Sequence, residues 1–179
     1  MQFETLADTK DARARLAAMK DIFFLSAAPS ISFANEEKHE EFWQRWASYY
    51  IENCAHELFF ACDGDQTLGY LSGCNDSHAA LRALHQRIQS YSLFEDLFAI
   101  YPAHFHINVH PDARGRGIGE HLVAKYIENL KKIGTPGVHI VTAAGERNVI
   151  FYLRNRFQTI AERAFNNQQL IFMGRSLEH

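Results

Sequence analysis

The chain has 179 residues, of which 47% are hydrophobic and 22% charged, and its formal net charge is −3. These values predict a soluble globular protein with a sizeable core, and they do not favour a nucleic-acid-binding surface. Cys54, Cys62 and Cys74 lack metal-ligand spacing. Together with the lack of a signal peptide and of a membrane-spanning apolar run, they predict a cytoplasmic protein.

The first third of the chain predicts a strand and two helices. Met1 to Ala7 is expected to form an edge strand, and Asp8 or Thr9 is expected to cap a helix over roughly Lys10–Lys20. A loop follows. The second helix is predicted over Glu36–Asn53, where aromatic residues recur at helical spacing, which favours a buried face. The aromatic residues of that stripe are Phe42, Trp43, Trp46, Tyr49 and Tyr50.

A hairpin and a third helix come next. The strands of the hairpin are predicted over Glu57–Cys62 and Thr67–Cys74, joined by the turn Asp63–Asp65. Apolar spacing indicates a helix around Leu81–Ile88. The aromatic segment Tyr91–Pro102 has no clean period, so we expect an irregular connection that packs over the sheet.

The stretch His104–Ile133 changes from a strand pattern to a helical one. Its strand alternates apolar residues with His106, Asn108 and His110, and its helix is ended by Gly134. Between them lies a glycine turn, which we define as Arg114 to Gly119. A glycine turn at the start of a helix directs several backbone N–H groups towards one point, where the helix dipole also favours negative charge. The sequence therefore predicts an anion-binding loop and favours phosphate as the anion.

The remaining elements complete one sheet. Val138–Thr142 is a predicted strand, Ala143–Arg156 a turn and a helix, and Phe157–Ala164 with Gln168–Met173 a closing hairpin around Asn166-Asn167. This order favours an α/β fold with a mixed, mostly antiparallel sheet and helices on both faces. We expect a single domain over residues 1–176, with 177–179 a remnant of an expression tag.

The spacing of the glycines and the residues that follow Gly119 narrow the choice of phosphate-containing ligand. A P-loop would need Lys and Ser or Thr after Gly119, where Glu120 and His121 stand. The dinucleotide fingerprint would need a small residue in place of Glu120. The remaining pattern is Arg114 with glycines three and five residues later, after a strand ending in Val109-His110-Pro111. It resembles the pyrophosphate-binding loop of the GNAT superfamily of N-acetyltransferases, which bind acetyl-coenzyme A.

The resemblance implies a GNAT fold and acetyl-CoA as the co-substrate. Segments Tyr101–Ile107 and Gly137–Ile140 are similar to the acetyltransferase-like C-terminal domain of O-GlcNAcases and its free-standing bacterial relatives. The residues that it implies as cofactor ligands are Ile107, Val109, Arg114, Gly115, Arg116, Gly117, Ile118, Gly119, Glu120 and Asn148.

A second GNAT motif is kept only in part. The family commonly has Asn, then Tyr seven residues later, then Gly-Phe four and five residues beyond that. Tyr152 and Phe157 match, whereas Gly145 stands at the asparagine position and Arg156 at the glycine position. Asn148, one helical turn along, could face the same way as the expected asparagine.

The implied chemistry is direct attack of an amine on the thioester. The N–H of Val109 would stabilise the oxyanion, and Tyr152 would protonate the leaving thiolate. His104, His106 and His110 project from one strand face, and we take His106 as the candidate base. We expect no metal, because residues two apart on a flat strand rarely converge on one ion.

Two functions remain open. The first is an acetyl-CoA-dependent N-acetyltransferase acting on a small amine or a lysine, with one or two rings of the aromatic stripe lining the acceptor pocket. The second is a non-catalytic module that binds acetyl-CoA or CoA and whose second motif has degenerated. In either case we expect a monomer or a homodimer without nucleic-acid or membrane partners.

Overall fold

The computed structural model describes residues 1–26 and 31–177. Its strands are β1 (Gln2–Thr5), β2 (Leu58–Asp63), β3 (Gln66–Cys74), β4 (Ala103–Val109), β5 (Gly137–Ala143), β6 (Gln158–Phe165) and β7 (Gln168–Ser176). Its α-helices are α1 (Ala12–Ser26), α2 (Glu36–Asn53), α3 (Ser77–Arg87), α4 (Ile118–Lys132) and α5 (Asn148–Arg154). In these described ranges, no helix is long and apolar enough to cross a membrane.

The seven strands form one sheet in the order β1-β2-β3-β4-β5-β7-β6. Pairing is antiparallel between β1 and β2, β2 and β3, β5 and β7, and β6 and β7, and it is parallel between β4 and β5. The prediction of an α/β fold with a mixed, mostly antiparallel sheet is therefore confirmed.

The chain divides into two compact units. The first contains Met1–Gly73 and His106–Tyr126, and the second contains Cys74–Phe105 and the residues from Ile127 onwards. Strand β4 therefore contributes its first three residues to the second unit and its last four to the first.

In the first unit, helix α1 is longer than the sequence pattern predicted. The side chain of Asp11, rather than that of Asp8 or Thr9, accepts a hydrogen bond from the backbone N–H of Ala14 at 2.9 Å, so Asp11 caps the helix. The helix continues to Ser26 because its buried face continues past the predicted end at Lys20. Met19, Ile22 and Phe23, at helical spacing, are all buried. Part of the predicted loop, residues 27–30, lies outside the described residues.

Helix α2 matches its predicted bounds, Glu36–Asn53. The Asn35 side chain accepts a hydrogen bond from the N–H of Lys38 at 2.9 Å and caps the helix. Trp43 and Tyr50 are buried, which confirms the predicted apolar face. The predicted hairpin is present as well: β2 and β3 are joined at Gly64, which has a φ of +58°.

The second unit has a core made mainly of aromatic residues. Phe94, Phe98, Leu170 and Phe172 form a buried cluster, against which Tyr91 and other half-buried residues pack. The segment that supplies Phe94 and Phe98 is irregular, with 3₁₀ turns over Gln89–Leu97 and a non-helical conformation at Phe94. An irregular connection packed over the sheet was expected here, and it is observed.

The end of the described chain also packs into this unit. Leu177 is buried, and its backbone N–H donates to the carbonyl of Pro136 at 2.8 Å. The other two residues of the predicted tag remnant, Glu178 and His179, lie outside the described residues. The assignment of residues 177–179 to a tag stays a prediction.

Helix α4 ends in a Schellman motif. The N–H of Thr135 donates to the carbonyl of Leu130 at 3.0 Å, and the N–H of Gly134 donates to that of Lys131 at 3.1 Å. Gly134 has a φ of +72°, a left-handed conformation that favours glycine. The predicted role of Gly134 in ending this helix is therefore confirmed.

Helix α5 ends in the same motif without glycine. The N–H of Phe157 donates to the carbonyl of Tyr152 and the N–H of Arg156 to that of Leu153, both at 3.0 Å. Arg156 has a φ of +66°, so an arginine adopts the conformation for which the family pattern has glycine. The spacing from Tyr152 to Arg156 and Phe157 is the spacing of this helix cap.

We predict that Arg156→Gly stabilises the protein. A non-glycine residue pays about 1 kcal/mol for a left-handed conformation, partly offset by the greater backbone entropy of glycine in the unfolded chain. The free energy of unfolding in urea should therefore rise by up to about 1 kcal/mol.

Arg156→Ala separates backbone strain from charge, because it removes the guanidinium but keeps Cβ. Gly134→Ala, at the equivalent position of α4, should destabilise the protein. Equal stabilities for Arg156→Gly and Arg156→Ala would contradict this explanation.

Candidate functional site

The glycine turn of the first unit depends on two left-handed glycines. Gly115 has a φ of +75° and Gly117 a φ of +73°. A Cβ atom at Gly115 would meet nothing within 4 Å, and one at Gly117 would lie 3.6 Å from the ring of His121, an ordinary contact. Glycine is therefore favoured at both positions by backbone conformation rather than by lack of space.

Helix α4 starts at Ile118, within this turn. The N–H of His121 donates to the carbonyl of Gly117 at 3.1 Å, and Nδ1 of His121 lies 2.6 Å from the same oxygen. The backbone N–H groups of Ile118, Gly119 and Glu120 belong to the first helical turn, where no acceptor four residues earlier is available within the helix. This end of the helix thus has the geometry of an anion-binding site.

The two arginines of the turn have different surroundings. The guanidinium of Arg114 donates from Nη2 to Oγ of Ser26 at 3.1 Å and from Nε to the carbonyl of Val109 at 3.4 Å. Arg116 is exposed, and within residues 1–26 and 31–177 no hydrogen bond or ion pair is made by its side chain. Arg114 is thus held by the protein, whereas Arg116 is available to a ligand.

The end of β4 lies very close to β3. The N–H of His110 donates to the carbonyl of Leu68 at 2.8 Å, and Nδ2 of Asn108 donates to the hydroxyl of Tyr70 at 2.9 Å. A Cβ atom on Gly69 would lie 2.9 Å from the carbonyl oxygen of Asn108, so only glycine permits this approach. Since the peptide groups of a strand alternate in direction, the N–H groups of Val109 and of Ile107, two residues earlier, point away from β3.

The three strand histidines differ in their environments. His104, in the second unit, is 4% exposed, and its Nδ1 lies 2.7 Å from Oγ of Ser77. His110 accepts a weak hydrogen bond from the N–H of Asp112 at 3.3 Å. The ring of His106 makes edge contacts with those of Trp46 and Tyr50, at centroid distances of 5.9 and 5.4 Å, and burial lowers its pKa to about 4.

Tyr152 lies on α5 in the second unit. Its ring contacts those of Phe105 and Phe157, at 6.2 and 5.9 Å, and the residue is 7% exposed. In the described part of the chain, the Tyr152 hydroxyl has no hydrogen-bond partner. Burial raises the pKa of this phenol above its ordinary value. The hydroxyl is therefore protonated at neutral pH and can donate a hydrogen bond.

The asparagine position of the second motif has a different geometry from the one expected. Gly145 lies in the turn before α5 with a φ of +85°, whereas Asn148 is the first residue of that helix. The two residues are therefore not neighbours on one helical face. Oδ1 of Asn148 accepts a hydrogen bond from Oγ1 of Thr142 at 3.0 Å. Asn148 stays a predicted cofactor ligand without further support.

Two residues of this site escaped the sequence analysis. Ser26 contacts Val109 and Arg114 from 83 and 88 positions away, and nothing in its local sequence marks it. Gly69 does carry a signal, because a glycine inside a strand often marks a close backbone approach.

Comparison with known proteins places this geometry in context. The model of the family described as "Acetyltransferase (GNAT) family" matches residues 19–157. Among solved structures, the chain is similar to SsHAT, with 23% identity, 100% of both chains covered and a TM-score of 0.76. It is also similar to an aminoglycoside 6'-N-acetyltransferase complexed with coenzyme A, with 13% identity, 100% of this chain and 98% of that chain covered, and a TM-score of 0.69.

A third similar structure is that of yncA, a putative acetyltransferase from Salmonella typhimurium with its cofactor acetyl-CoA. The identity is 14%, the match covers 100% of this chain and 95% of that chain, and the TM-score is 0.62. At these identities the likeness shows a shared fold.

We predict that His106 makes stability depend on pH. Its pKa is about 4 in the folded protein and about 6.5 in an unfolded chain. The unfolded state therefore binds the proton more tightly, so the stabilising contribution is present above pH 6.5 and is lost as pH falls towards 4. Urea unfolding of His106→Gln across this range should show a shallower fall in the free energy of unfolding. If the free energy of unfolding of His106→Gln fell with pH as steeply as that of wild type, the low pKa of His106 in the folded protein would be contradicted.

Proposed function

Because the chain belongs to the acetyltransferase (GNAT) family, we propose that it transfers the acetyl group of acetyl-CoA directly to an amine. The amine is that of a small molecule or of a lysine. The observation that carries this proposal is the glycine turn, whose left-handed Gly115 and Gly117 lead into the first turn of α4, where the N–H groups have no acceptor within the helix.

The pyrophosphate of the cofactor would lie on this turn. Its charge would be balanced by the partial positive charge of the helix start and by the exposed guanidinium of Arg116. The proposed ligands are the backbone of residues 114–120 and the side chain of Arg116. On β4, the N–H groups of Ile107 and Val109 would bind the pantetheine and the thioester.

The reaction requires deprotonation of the amine, stabilisation of an oxyanion and protonation of the leaving thiolate. The amine nitrogen attacks the thioester carbonyl, so that a C–N bond forms and the carbonyl oxygen becomes negative. The N–H of Val109 is proposed to stabilise that oxyanion. The C–S bond then breaks, and we propose that Tyr152 donates its proton to the thiolate of CoA, after which the phenolate regains a proton from solvent.

The attacking nitrogen must first lose a proton. His106 stays the predicted base: its imidazole is neutral near pH 7, because its pKa is about 4, and it can accept a hydrogen bond from the amine. A pKa this low also means that His106 holds a proton only weakly, so the final acceptor of the proton is solvent.

The acceptor would bind beside the half-buried aromatic rings of α2. Trp46, whose ring contacts that of His106, has a buried Nε1 with no hydrogen-bond partner among the described residues. An oxygen atom of the acceptor could accept a hydrogen bond from this N–H, and the ring face could contact the cationic form of the amine. This supports the alternative in which part of the aromatic stripe lines the acceptor pocket.

The non-catalytic alternative rested on the altered second motif. The departure at Arg156 leaves the backbone of the helix cap in the conformation that glycine favours. The positions of Tyr152 and Phe157 at the end of α5 are therefore kept, and the departure is a weak reason to infer lost turnover.

We expect Arg116→Ala to weaken acetyl-CoA binding and to reduce the dependence of binding on salt. The exposed guanidinium of Arg116 is free to pair with phosphate, and such a contact is screened as ionic strength rises. Isothermal titration calorimetry at low and high salt measures both effects. Lys125→Ala, which removes an exposed cation further along α4, is the control for a general change in charge. Equal affinities for wild type and Arg116→Ala would remove Arg116 from the site.

The function itself is tested by the release of free CoA thiol from acetyl-CoA in the presence of a panel of amines. Wild-type protein should show amine-stimulated release. Tyr152→Phe keeps the packing of the ring, so it should bind acetyl-CoA normally, whereas its turnover with the best amine should fall by about 10²–10⁴. Binding without amine-stimulated release in the wild type would favour the non-catalytic module. Full turnover in Tyr152→Phe would instead show that the acid lies elsewhere.

A further inference from the structure

The peptide group between Val109 and His110 is held from two sides. Its carbonyl oxygen accepts a hydrogen bond from Oγ of Ser26 at 3.0 Å and a longer one from Nε of Arg114 at 3.4 Å. Its N–H donates to the carbonyl of Leu68 at 2.8 Å. This peptide group therefore has hydrogen bonds to α1, to the glycine turn and to β3.

The hydrogen bonds around Ser26 form a consistent chain of donors and acceptors. The hydroxyl uses its single hydrogen to donate to Val109, and it accepts from Nη2 of Arg114 at 3.1 Å. Arg114 is exposed, and its direct bond to Val109 is long. The shorter bond from Ser26 is therefore the stronger restraint on the carbonyl, and it also holds Arg114 in place.

The preceding peptide group is restrained as well. Gly69 brings β3 so close that a Cβ atom would lie 2.9 Å from the carbonyl oxygen of Asn108. The amide of the Asn108 side chain donates to the hydroxyl of the buried Tyr70 at 2.9 Å. The peptide group that carries the N–H of Val109 therefore packs closely against β3, and the peptide group that follows it is held by hydrogen bonds.

We propose that Ser26 is a positioning residue for acetyl transfer. By holding the carbonyl of Val109, together with Arg114, it fixes the backbone at Val109 and so keeps the N–H of Val109 directed at the thioester carbonyl. Ser26 acts through Val109 and contacts neither acetyl-CoA nor the amine. This inference rests on the proposed function, because it assigns a purpose to the oxyanion donor of that reaction.

Fixing this donor matters because an oxyanion-stabilising group acts without reorganisation only if its direction is set before the reaction. Loss of the Ser26 hydroxyl removes the shorter of the two hydrogen bonds to the carbonyl of Val109 and leaves this peptide group with the bond from its N–H to Leu68 and the longer bond from Arg114, so the backbone at Val109 is less tightly restrained. The expected defect is therefore in turnover rather than in cofactor affinity, since within the glycine turn Ser26 contacts only the guanidinium of Arg114, whereas the proposed pyrophosphate contacts are made by the backbone of residues 114–120 and the side chain of Arg116.

The test compares Ser26→Ala, Ser26→Thr and Ser48→Ala. Ser26→Ala should lower kcat by about 10-fold to 100-fold, the scale of a small misplacement in an active site, with an unchanged Kd for CoA. Ser26→Thr keeps the hydroxyl and should restore most of the lost kcat. Ser48→Ala is the matched control, because the hydroxyl of Ser48 donates to a backbone carbonyl within α2, at 2.8 Å from Gln44.

A second readout does not depend on turnover. The backbone amide resonance of Val109 should shift when acetyl-CoA is added to wild type, and this shift should be smaller in Ser26→Ala and restored in Ser26→Thr. Wild-type kcat in Ser26→Ala, or a parallel loss of kcat and CoA affinity, would overturn the role of Ser26. Absence of amine-stimulated turnover in the wild type would instead overturn the proposed function on which this role rests.

Discussion

The candidate site depends on backbone conformations and approaches that only glycine makes easily. Gly115 and Gly117 turn the chain through left-handed conformations into the start of α4, and Gly69 lets β3 approach the end of β4. All three lie in the first unit, around one strand end. The peptide N–H groups that result, rather than charged side chains, provide most of the proposed contacts with acetyl-CoA. Contacts made by backbone N–H groups do not require particular side chains. They are therefore compatible with a fold that is shared at sequence identities of 13–23%.

The second motif has a physical explanation in the structure of α5. Tyr152 and Phe157 occupy the two positions of a Schellman motif whose side chains usually contact each other, and their rings are 5.9 Å apart. In this motif the residue directly before Phe157 must adopt a left-handed backbone conformation. Arg156 adopts it although arginine has a Cβ atom. The motif therefore fixes where the helix ends, and with it the position of the Tyr152 hydroxyl. Replacement of this glycine by arginine changes the free energy of forming the helix cap but leaves the backbone geometry of the cap the same.

The sequence predicted those features whose cause lies within a few residues. The bounds of α2 follow from the Asn35 cap and the aromatic stripe, and the glycine turn follows from its own spacing. The true length of α1 was missed because its apolar run was not recognised as a continuation of the helical face. Contacts between distant segments, such as that of Ser26 with Val109, could not be predicted, since they depend on how the elements pack. The low pKa of His106 is of the same kind, because Trp46 and Tyr50 pack against this strand residue from helix α2.

We propose above all that the backbone of residues 114–120 binds the pyrophosphate of acetyl-CoA. The most direct test of this proposal is an NMR titration that follows the backbone amide resonances of these residues. We expect large, saturable shifts in this segment on addition of CoA, and weaker shifts of the same resonances with inorganic pyrophosphate, which should compete with CoA. Saturable binding of CoA that leaves these amide resonances unchanged would contradict the proposal.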